Sequence, residues 1–348
     1  MTVAVVGAGP AGLTAALAAA KRGFSVECFE AGPELKERGA WLVGKPAQEA
    51  LRKLGVSLTG KSCSSLALCT DSLKPLYTAN YPPGKEAVAV PRQRLLRELY
   101  QLCLEQSVVF HRGERLETPP TADIVIGADG CRSTVRGWAK IPCYERSLGH
   151  YYRGDMTASP VSSPVEIWTR DGRRFGVEPT PSGASFYCTA PAQDPTDWGT
   201  YVDRWESVLA REILGGFTIA ELQRCAPLDI WCSRWYRPPY FLVGDAAHGQ
   251  PPNLGQGANL GILDSVCLVD QLPKNPDLQR AGQAYQSAQA PFVHRLHTMS
   301  VAACWFSHRT SWLRDRVMTA LDKLNFLKPW LLAQTSCETA TRKGWTYG

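Results

Sequence analysis

The chain has 348 residues, a formal net charge of +6 and a hydrophobic share of 44%. This length predicts about two domains with an ample core. The mild charge, with no basic run, suits an anionic cofactor and argues against a nucleic-acid partner. No apolar run is long enough for an integral membrane segment.

The cysteines indicate a reducing compartment. There are twelve of them, but they form no C-x-x-C pair and no Cys/His cluster at zinc-ligand spacing, so we expect no metal site. Cys28, Cys188 and Cys267 lie in apolar strand or helix patterns and are predicted to be buried thiols. Because the first residues lack the basic region of a secretory signal, we expect a cytoplasmic protein without disulfides.

The first thirty residues predict a dinucleotide-binding βαβ unit. They comprise a short apolar strand (Thr2–Val6), the turn Gly7-Ala8-Gly9-Pro10-Ala11-Gly12, an Ala- and Leu-rich helix (Leu13–Arg22) and a second strand (Phe24–Phe29). Gly7 permits the tight turn, Gly9 lets a pyrophosphate approach the backbone, and Gly12 lets the helix pack closely on the strand. The helix start offers free N–H groups to phosphates. Glu30 ends the second strand and can accept hydrogen bonds from ribose hydroxyls.

The remaining elements are predicted from periodicity and turn residues. Before residue 149 we expect helices at Lys45–Leu54 and Arg92–Gln106 and strands at Ser65–Thr70, Pro75–Asn80, Ala87–Val90, Val108–Phe110 and Asp123–Gly127. After it we expect an antiparallel sheet with strands Val165–Thr169, Arg174–Pro179 and Ala184–Thr189, helical interludes Asp203–Leu214 and Ile219–Cys225, a strand Tyr240–Val243 and a helix Gly257–Leu272. From Leu278 onward the pattern is mostly helical, with Pro291 and Pro329 as interruptions.

These elements predict a discontinuous domain organisation. Residues 1–65, 90–148 and 240–285 would form the dinucleotide-binding domain, residues 66–89 and 149–239 a substrate domain, and residues 286–348 a helical C-terminal segment.

Two further stretches carry chemistry. In the first, the strand that includes Ile126 runs into a turn with Asp129 and then a basic helix start. In the second, Asp245 ends a strand, a Pro-Pro pair forms a stiff wall, and the glycine-rich loop before Gly257 opens a helix without bulky side chains. The free N–H groups of such a helix start stabilise negative charge, as at the edge of a reduced flavin.

Taken in order, the three stretches resemble the class A flavoprotein monooxygenases, the p-hydroxybenzoate hydroxylase family. The resemblance covers residues 1 to about 285, and it rests on G-D-A-A-H-G-Q-P-P-N-L-G-Q-G-A-N-L-G and the earlier G-x-G-x-x-G. It implies an α/β fold: a Rossmann-like FAD-binding domain with an inserted antiparallel-sheet substrate domain and a helical C-terminus. It implies FAD as cofactor and NAD(P)H as co-substrate.

The resemblance also implies roles for individual residues. The expected FAD-binding residues are Gly7, Gly9, Ala11 and Gly12 for the pyrophosphate, Glu30 for the adenosine ribose, Arg38 near FAD, Arg92 on the flavin side, Asp129 for FAD and nicotinamide handling, Asp245 for the ribityl chain, and Gly257, Ala258 and Asn259 at the flavin's pyrimidine edge. Gly255, in the loop before them, is expected to bind the cofactor as well. Pro252 is expected beside the reacting carbon of the flavin. His248 lies near the flavin by position, and either a catalytic role or a hydrogen bond that fixes the loop would explain it.

The implied reaction is oxygen insertion from O2 into an electron-rich aromatic or polycyclic small molecule of secondary metabolism. Substrate contacts are expected from the inserted sheet, with Tyr151, Tyr152, Arg153, Trp168, Phe175 and Tyr187 as candidates. A flavin-dependent reductase or oxidase, a halogenase-like enzyme on the same fold, or a non-catalytic dinucleotide-binding module are the alternatives. A halogenase W-x-W-x-I-P segment is missing, and a disulfide reductase would need a cysteine pair soon after Glu30. The oligomeric state stays open.

Overall fold

A computed structural model describes residues 1–35, 37–113, 115–189, 197–272, 277–308 and 312–336. The strands are β1 Thr2–Val6, β2 Ser25–Glu30, β3 Ala40–Val43, β4 Lys61–Cys63, β5 Ser65–Thr70, β6 Pro75–Asn80, β7 Ala87–Pro91, β8 Val109–Arg112, β9 Ile124–Gly127, β10 Cys143–Ser147, β11 Tyr151–Met156, β12 Val165–Trp168, β13 Arg174–Thr180, β14 Gly183–Thr189, β15 Gln223–Cys225, β16 Leu228–Cys232, β17 Tyr236–Arg237 and β18 Tyr240–Leu242. The α-helices are α1 Pro10–Lys21, α2 Lys45–Lys53, α3 Arg92–Glu105, α4 Thr134–Trp138, α5 Trp198–Asp203, α6 Val208–Gly215, α7 Asp245–His248, α8 Gly257–Gln271, α9 Leu278–Ser307, α10 Trp312–Lys323 and α11 Lys328–Thr335.

A six-stranded sheet in the order β17-β18-β9-β1-β2-β8 forms the nucleotide-binding half. All of its neighbouring pairs are parallel except β17 with β18. Helix α1 packs against α3 and α8. Parallel strands that are covered by helices are buried on both faces, which explains the continuous apolar runs of β1 and β9. The carboxyl ends of β1, β9 and β18 therefore open on one edge of the sheet.

A seven-stranded sheet in the order β15-β11-β14-β13-β12-β5-β6 lies over that edge. It is antiparallel except for β12 with β5. Its strands alternate between two faces. One face carries a core cluster that includes Phe175, Phe186 and Trp205, covered by α5 and α6. The other face is polar and borders the cavity described below. Two small sheets, β3-β7-β4 and β10-β16, complete the fold.

The structure confirms the fold class and the expected burial of Cys28, Cys188 and Cys267. The prediction of one helix over Asp203–Leu214 is wrong, because a non-helical segment separates α5 from α6. The Asp71 carboxylate accepts hydrogen bonds from the backbone N–H groups of Glu206 and Ser207, at 3.0 and 2.8 Å, which diverts them from a helix.

Two further expectations also fail for tertiary reasons. The predicted helix Ile219–Cys225 is a short 3₁₀ turn at Ile219–Glu221 followed by β15, because this segment pairs with the edge of β11. Helix α9 continues through Pro291 instead of stopping there. It packs its buried residues, such as Tyr285 and Val293, on both sides of the proline, so tertiary packing outweighs the lost backbone hydrogen bond.

Candidate active site

A cavity of about 680 Å³ lies between the carboxyl edge of the six-stranded sheet and the polar face of the seven-stranded sheet. This volume is in the range of small-molecule and cofactor sites. Its walls include the first glycine turn, the β18–α8 loops and the strands β11, β13 and β14. The cavity therefore joins the part of the chain that resembles a cofactor site with the part expected to hold a substrate.

In the first glycine turn, one glycine leaves space for a cofactor and two allow close backbone packing. A Cβ atom added to Gly9 would meet no atom within 4 Å, and Gly9 borders the cavity. A Cβ on Gly12 would lie 1.8 Å from the carbonyl oxygen of Gly7. Gly7 itself has φ +102° and lies against the backbone of Ala128. Gly9 thus leaves open space for a phosphate, whereas Gly7 and Gly12 allow the backbone to pack.

Ala11 borders the cavity near the close approach of α1 and α8. The Ala11 carbonyl accepts a hydrogen bond from the Ser265 hydroxyl at 2.8 Å, and a Cβ on Gly261 would lie 2.9 Å from the Ala11 Cβ. Small residues at both positions let the two helix starts meet at the cavity.

Glu30 stabilises the turn at the end of β2. Its Oε2 accepts a hydrogen bond from the Ala8 N–H at 2.7 Å, and its Oε1 accepts one from the Gly32 N–H at 2.8 Å. Each carboxylate oxygen can accept a second hydrogen bond. Glu30 therefore keeps acceptor capacity for a ribose, and that contact stays a prediction.

Asp245 presents its carboxylate to the cavity at the end of β18. Burial raises the pKa of Asp245, although the neighbouring His248 opposes this shift. The Cys131 thiol lies 3.7 Å from Oδ2. An open carboxylate acceptor at this point suits a ligand with several hydroxyl groups, such as a ribityl chain.

His248 forms a buried pair with Asp264 behind that loop. Its Nε2 lies 2.6 Å from Asp264 Oδ2, which also accepts the Gly244 N–H at 2.9 Å. Burial lowers the pKa of the imidazole, but the Asp264 carboxylate outweighs it, so the pKa of His248 is raised overall. His248 is not one of the described residues that border the cavity. The geometry favours the loop-fixing alternative, and the catalytic role stays a prediction.

The start of α8 faces the cavity with small residues. Gly255, Gly257, Ala258 and Pro252 all border it. The Asn259 side chain points elsewhere: its Oδ1 accepts the Gly44 N–H at 2.9 Å and its Nδ2 donates to the Leu42 carbonyl at 3.0 Å. Asn259 thus ties the β3–α2 segment to the loop, and only its backbone remains for the predicted flavin contact.

Arg92 begins α3 and borders the cavity. Its guanidinium lies 4.7 Å from the centre of the Trp41 ring, and its Nη1 lies 3.8 Å from Glu37 Oε2. Burial and the nearby Arg153 lower the pKa of Arg92. The ring contact and the ion pair hold the guanidinium beside the cavity, and its place on the flavin side stays a prediction.

Six of the predicted cofactor residues lie off the described cavity wall: Gly7, Gly12, Glu30, Arg38, Asp129 and Asn259. Asp129 accepts hydrogen bonds from the Ser133 hydroxyl at 2.5 Å and from the Thr134 N–H at 2.7 Å, so it supports the start of α4. Arg38 is exposed and its backbone N–H donates to Gln223 at 2.9 Å. The FAD-related roles of both side chains stay predictions.

Strand alternation separates the six proposed substrate contacts. Tyr151, Arg153 and Tyr187 border the cavity. Tyr152 and Phe175 point to the opposite, apolar face and belong to its core. Trp168 packs in a third cluster beside β5 and β6. Period-two geometry accounts for the division between the first two groups. Trp168 instead lies opposite Arg174, on the same face of the sheet, and its packing with residues of β5 and β6 keeps it from the cavity. The sequence pattern does not identify β11 and therefore does not separate the two faces of that strand.

Several residues that border the cavity lie outside the sequence motifs and were not predicted to be site residues. Arg174 is buried in an ion pair with Glu166, and Glu178 lies four residues further along β13. Gln250 is 7% exposed and borders the cavity beside Pro251. The alternation of side chains along β13 places Arg174 and Glu178 on one face, which is a signal that could have found them. The position of Gln250 directly before the Pro-Pro pair is a signal that could have marked it as a cavity residue.

The residues present fit the expected FAD. The open space at Gly9, the cavity-facing carboxylate of Asp245 and the small residues at the start of α8 match phosphate, ribityl and flavin in turn. Both polar atoms of the buried Gln250 carboxamide lack a hydrogen-bond partner among the described residues. Unpaired buried amides are costly, so a ligand at this wall would satisfy a real deficit.

Fold and site together define a flavoprotein in which the seven-stranded sheet covers the glycine-rich loops of the six-stranded sheet. Residues 106–295, more than half of the chain, match the profile of a FAD binding domain, and residues 5–35 match that of a NAD(P)-binding Rossmann-like domain. The chain belongs to the FAD-binding family of class A flavoprotein monooxygenases, and it is an FAD-dependent monooxygenase.

Named relatives agree with this assignment. The 3-amino-4-hydroxybenzoate 2-monooxygenase of Streptomyces cremeus is 29% identical over 345 residues, which cover 85% of this chain and 84% of that protein. The aurachin C monooxygenase/isomerase of Stigmatella aurantiaca is 26% identical, with 92% and 94% covered. The structure of Klebsiella pneumoniae HpxO with FAD and uric acid has the same fold, with a TM-score of 0.83, 21% identity and 96% of both chains covered.

Two other features are absent from the described ranges. No helix there combines the length and apolar character needed to cross a membrane. No group of three or more His, Cys, Asp or Glu side chains there could hold a metal ion.

Proposed function

We propose that this enzyme uses NAD(P)H and O2 to hydroxylate or epoxidise an electron-rich aromatic or polycyclic small molecule, in the context of secondary metabolism. The observation that carries the proposal is the single cavity shared by the cofactor loops and the polar face of the substrate sheet. Such an arrangement holds a substrate against a flavin, and orientation of this kind supplies much of the rate enhancement.

Bound FAD, once reduced by NAD(P)H, supplies the activation of O2. The protein's own contribution is binding and shielding. The backbone at Gly9 and the start of α1 would hold the pyrophosphate, Glu30 the ribose and Asp245 the ribityl hydroxyls. Pro252 would supply a rigid wall beside the reacting edge, because its ring fixes the backbone.

The N–H groups at Gly257 and Ala258 would stabilise negative charge on the reduced flavin. The buried Arg174–Glu166 pair and the apolar core behind the sheet would keep bulk water from the far wall. Exclusion of water matters because it prevents the activated oxygen from escaping as hydrogen peroxide.

The relatives support the substrate class. Two of them are named for acting on a hydroxylated aminobenzoate and on aurachin C, and the solved neighbour binds uric acid. Tyr151 and Tyr187 in the cavity wall would pack against a planar ring. We propose a planar aromatic of one to three rings, in keeping with these names.

The test is ligand-stimulated oxidation of NAD(P)H by the yellow holoenzyme. A panel of 4(1H)-quinolone, 3-amino-4-hydroxybenzoate and uric acid is added with NADH or NADPH, and peroxide is measured alongside. A ligand that accelerates oxidation while peroxide stays below the NAD(P)H consumed supports the proposal. Equal amounts of peroxide and oxidised NAD(P)H with every ligand would favour the oxidase alternative.

A further inference from the structure

Glu178 is a cavity carboxylate that makes no hydrogen bond or ion pair with the described residues. It lies in β13 directly opposite Ser185 of β14, and its side chain borders the cavity. Within the described part of the chain, neither a hydrogen bond nor an ion pair reaches its carboxylate. A charged group that is half-buried in this way normally has a partner, which points to a ligand.

The other charged side chains on the same face of the sheet all form ion pairs or hydrogen bonds with described residues. The other charged groups are Arg153, paired with Glu37; Arg174, paired with Glu166; and Asp155, which accepts hydrogen bonds from the Ser185 hydroxyl and the Gly39 N–H. These groups fix the wall in place. Glu178 is the one ionisable carboxylate among the described residues of this face that remains available.

The electrostatic surroundings suit a proton acceptor. Burial raises the pKa of Glu178 to about 7, Arg92 lowers it and Glu166 raises it. The other titratable groups that face Glu178 are Tyr187 and Cys63, and burial raises the pKa of each, that of Cys63 to about 11. Near neutral pH, Glu178 therefore exchanges a proton while these neighbours do not. General bases work best when their pKa lies near the operating pH.

Building on the proposed function, we propose that Glu178 binds the substrate directly and accepts the proton of an aromatic O–H or ring N–H conjugated with the carbon that is oxygenated. As oxygen is transferred, that O–H or N–H bond breaks, and its electron pair stays on the substrate and enriches the ring. The proton forms an O–H bond on the Glu178 carboxylate. It returns to the product when the product regains its aromatic hydroxyl or N–H.

The inference narrows the substrate class. Substrates present an ionisable hydroxyl or ring N–H toward β13, and ligands methylated at this position lose the contact. A hydrogen bond to a charged group strengthens binding by about tenfold or more. Phenols and 4-quinolones belong to this class, whereas their O-methyl and N-methyl counterparts do not.

The experiment uses the FAD-loaded full chain and matched ligand pairs. These pairs are 4(1H)-quinolone with 1-methyl-4(1H)-quinolone, and 3-amino-4-hydroxybenzoate with 3-amino-4-methoxybenzoate. Binding is followed by the change in flavin absorbance for the wild type, Glu178→Gln, Glu178→Asp and the control Glu212→Gln. Glu212 lies exposed in α6, on the side of the sheet away from the cavity.

We expect the wild type and Glu212→Gln to bind the donor member of at least one pair about tenfold more tightly than its methylated partner. Glu178→Gln should lose this preference and bind the methylated ligand as the wild type does. If Glu178→Gln does not fold, Glu178→Asp replaces it, because the shorter carboxylate should weaken the donor ligand alone. Equal preference in wild type and variant, or no preference in the wild type, overturns the inference.

The pH dependence separates Glu178 from other groups. Donor binding by the wild type should strengthen as pH rises through about 7, because the carboxylate form accepts the hydrogen bond. His150 and His308 also border the cavity. A dependence near pH 7 that survives in Glu178→Gln belongs to another group and overturns the inference.

Two outcomes separate this inference from the proposed function. A changed flavin spectrum in ligand-free Glu178→Gln would assign Glu178 to the cofactor, and the substrate role would fail while the monooxygenase stands. A product without added oxygen, formed by an enzyme that still distinguishes the ligand pairs through Glu178, would overturn the proposed function and leave the binding role intact.

Discussion

Gly9 and Gly12 lie in the same turn but serve different purposes, cofactor access and backbone packing, so variants at the two positions can be compared directly. A Cβ at Gly9 meets no atom, whereas a Cβ at Gly12 lies 1.8 Å from a carbonyl oxygen. We expect Gly9→Val to fold with nearly unchanged stability but to retain no FAD, because the side chain fills the phosphate space. Gly12→Ala should lower the free energy of unfolding by about 3 kcal/mol through overpacking.

Urea unfolding and FAD titration of both variants check this. Gly9→Val should match the wild-type apoprotein in urea. A Gly9→Val protein that keeps its yellow colour on gel filtration would show that the pyrophosphate lies elsewhere.

The buried His248–Asp264 pair ties stability to pH. The pKa of His248 is raised above its ordinary value of about 6.5. The charged pair therefore contributes fully below about pH 6.5, and its contribution is lost as pH rises through the folded-state pKa. We expect His248→Asn to lower the free energy of unfolding by about 3 kcal/mol at pH 6 and by less at pH 9.

A surface pair provides the control. His111 lies 2.8 Å from Glu27, with both side chains about half exposed, so His111→Asn should cost less than about 1 kcal/mol. The same His248→Asn protein, loaded with FAD, tests the predicted catalytic role. Wild-type turnover at saturating ligand would leave only the loop-fixing role.

At the scale of single elements, the start of α8 should set the flavin potential. Ala258 borders the cavity in the first turn of this helix, where the helix carries roughly half a positive charge. A carboxylate there opposes negative charge on the reduced flavin. We expect Ala258→Asp to lower the two-electron potential by roughly 20 mV, equivalent to about 1 kcal/mol.

Ala258→Asn is the control of equal size, and a dye-coupled reduction titration of each holoenzyme gives the potentials. A potential in Ala258→Asp equal to that of Ala258→Asn, or higher, would mean that the α8 dipole does not act on the flavin.

An element is predictable from the sequence when residues within its own segment determine its structure. β5 and β6 match the predicted ranges, and α2 and α8 match to within a residue, because periodicity and turn residues within each segment determine them. The short strands β3, β11 and β15 depend on partners far along the chain, and nothing within them demands extended backbone. The break before α6 likewise depends on Asp71, well over a hundred residues away.

The site residues likewise differ in whether their role depends on the local motif or on distant strand pairing. The motif predicted the residues whose backbone or small size matters, such as Gly9, Gly257 and Ala258, and these border the cavity. It did not separate side chains that face a ligand from those that brace the loop, as with Asn259. The sequence does not single out Glu178, because only the pairing of β13 with β14 places it on the cavity wall, where no described side chain binds its carboxylate.

On the scale of the whole molecule, function arises where two sheets meet. The six-stranded sheet offers the loops for FAD, and the seven-stranded sheet turns its apolar face to its own core and its polar face to the cavity. Neither sheet alone encloses the space. The cavity thus depends on both sheets, and the division of the chain into discontinuous domains stays a prediction.

The central claim is that this chain inserts an oxygen atom from O2 into an aromatic substrate. The most direct measurement is mass spectrometry of the product formed from the stimulating ligand under ¹⁸O2 in ordinary water, with the reverse labelling as control. We expect one heavy oxygen atom per product molecule under ¹⁸O2 and none from labelled water. Heavy oxygen from water, or a product that gains no oxygen, would contradict the account.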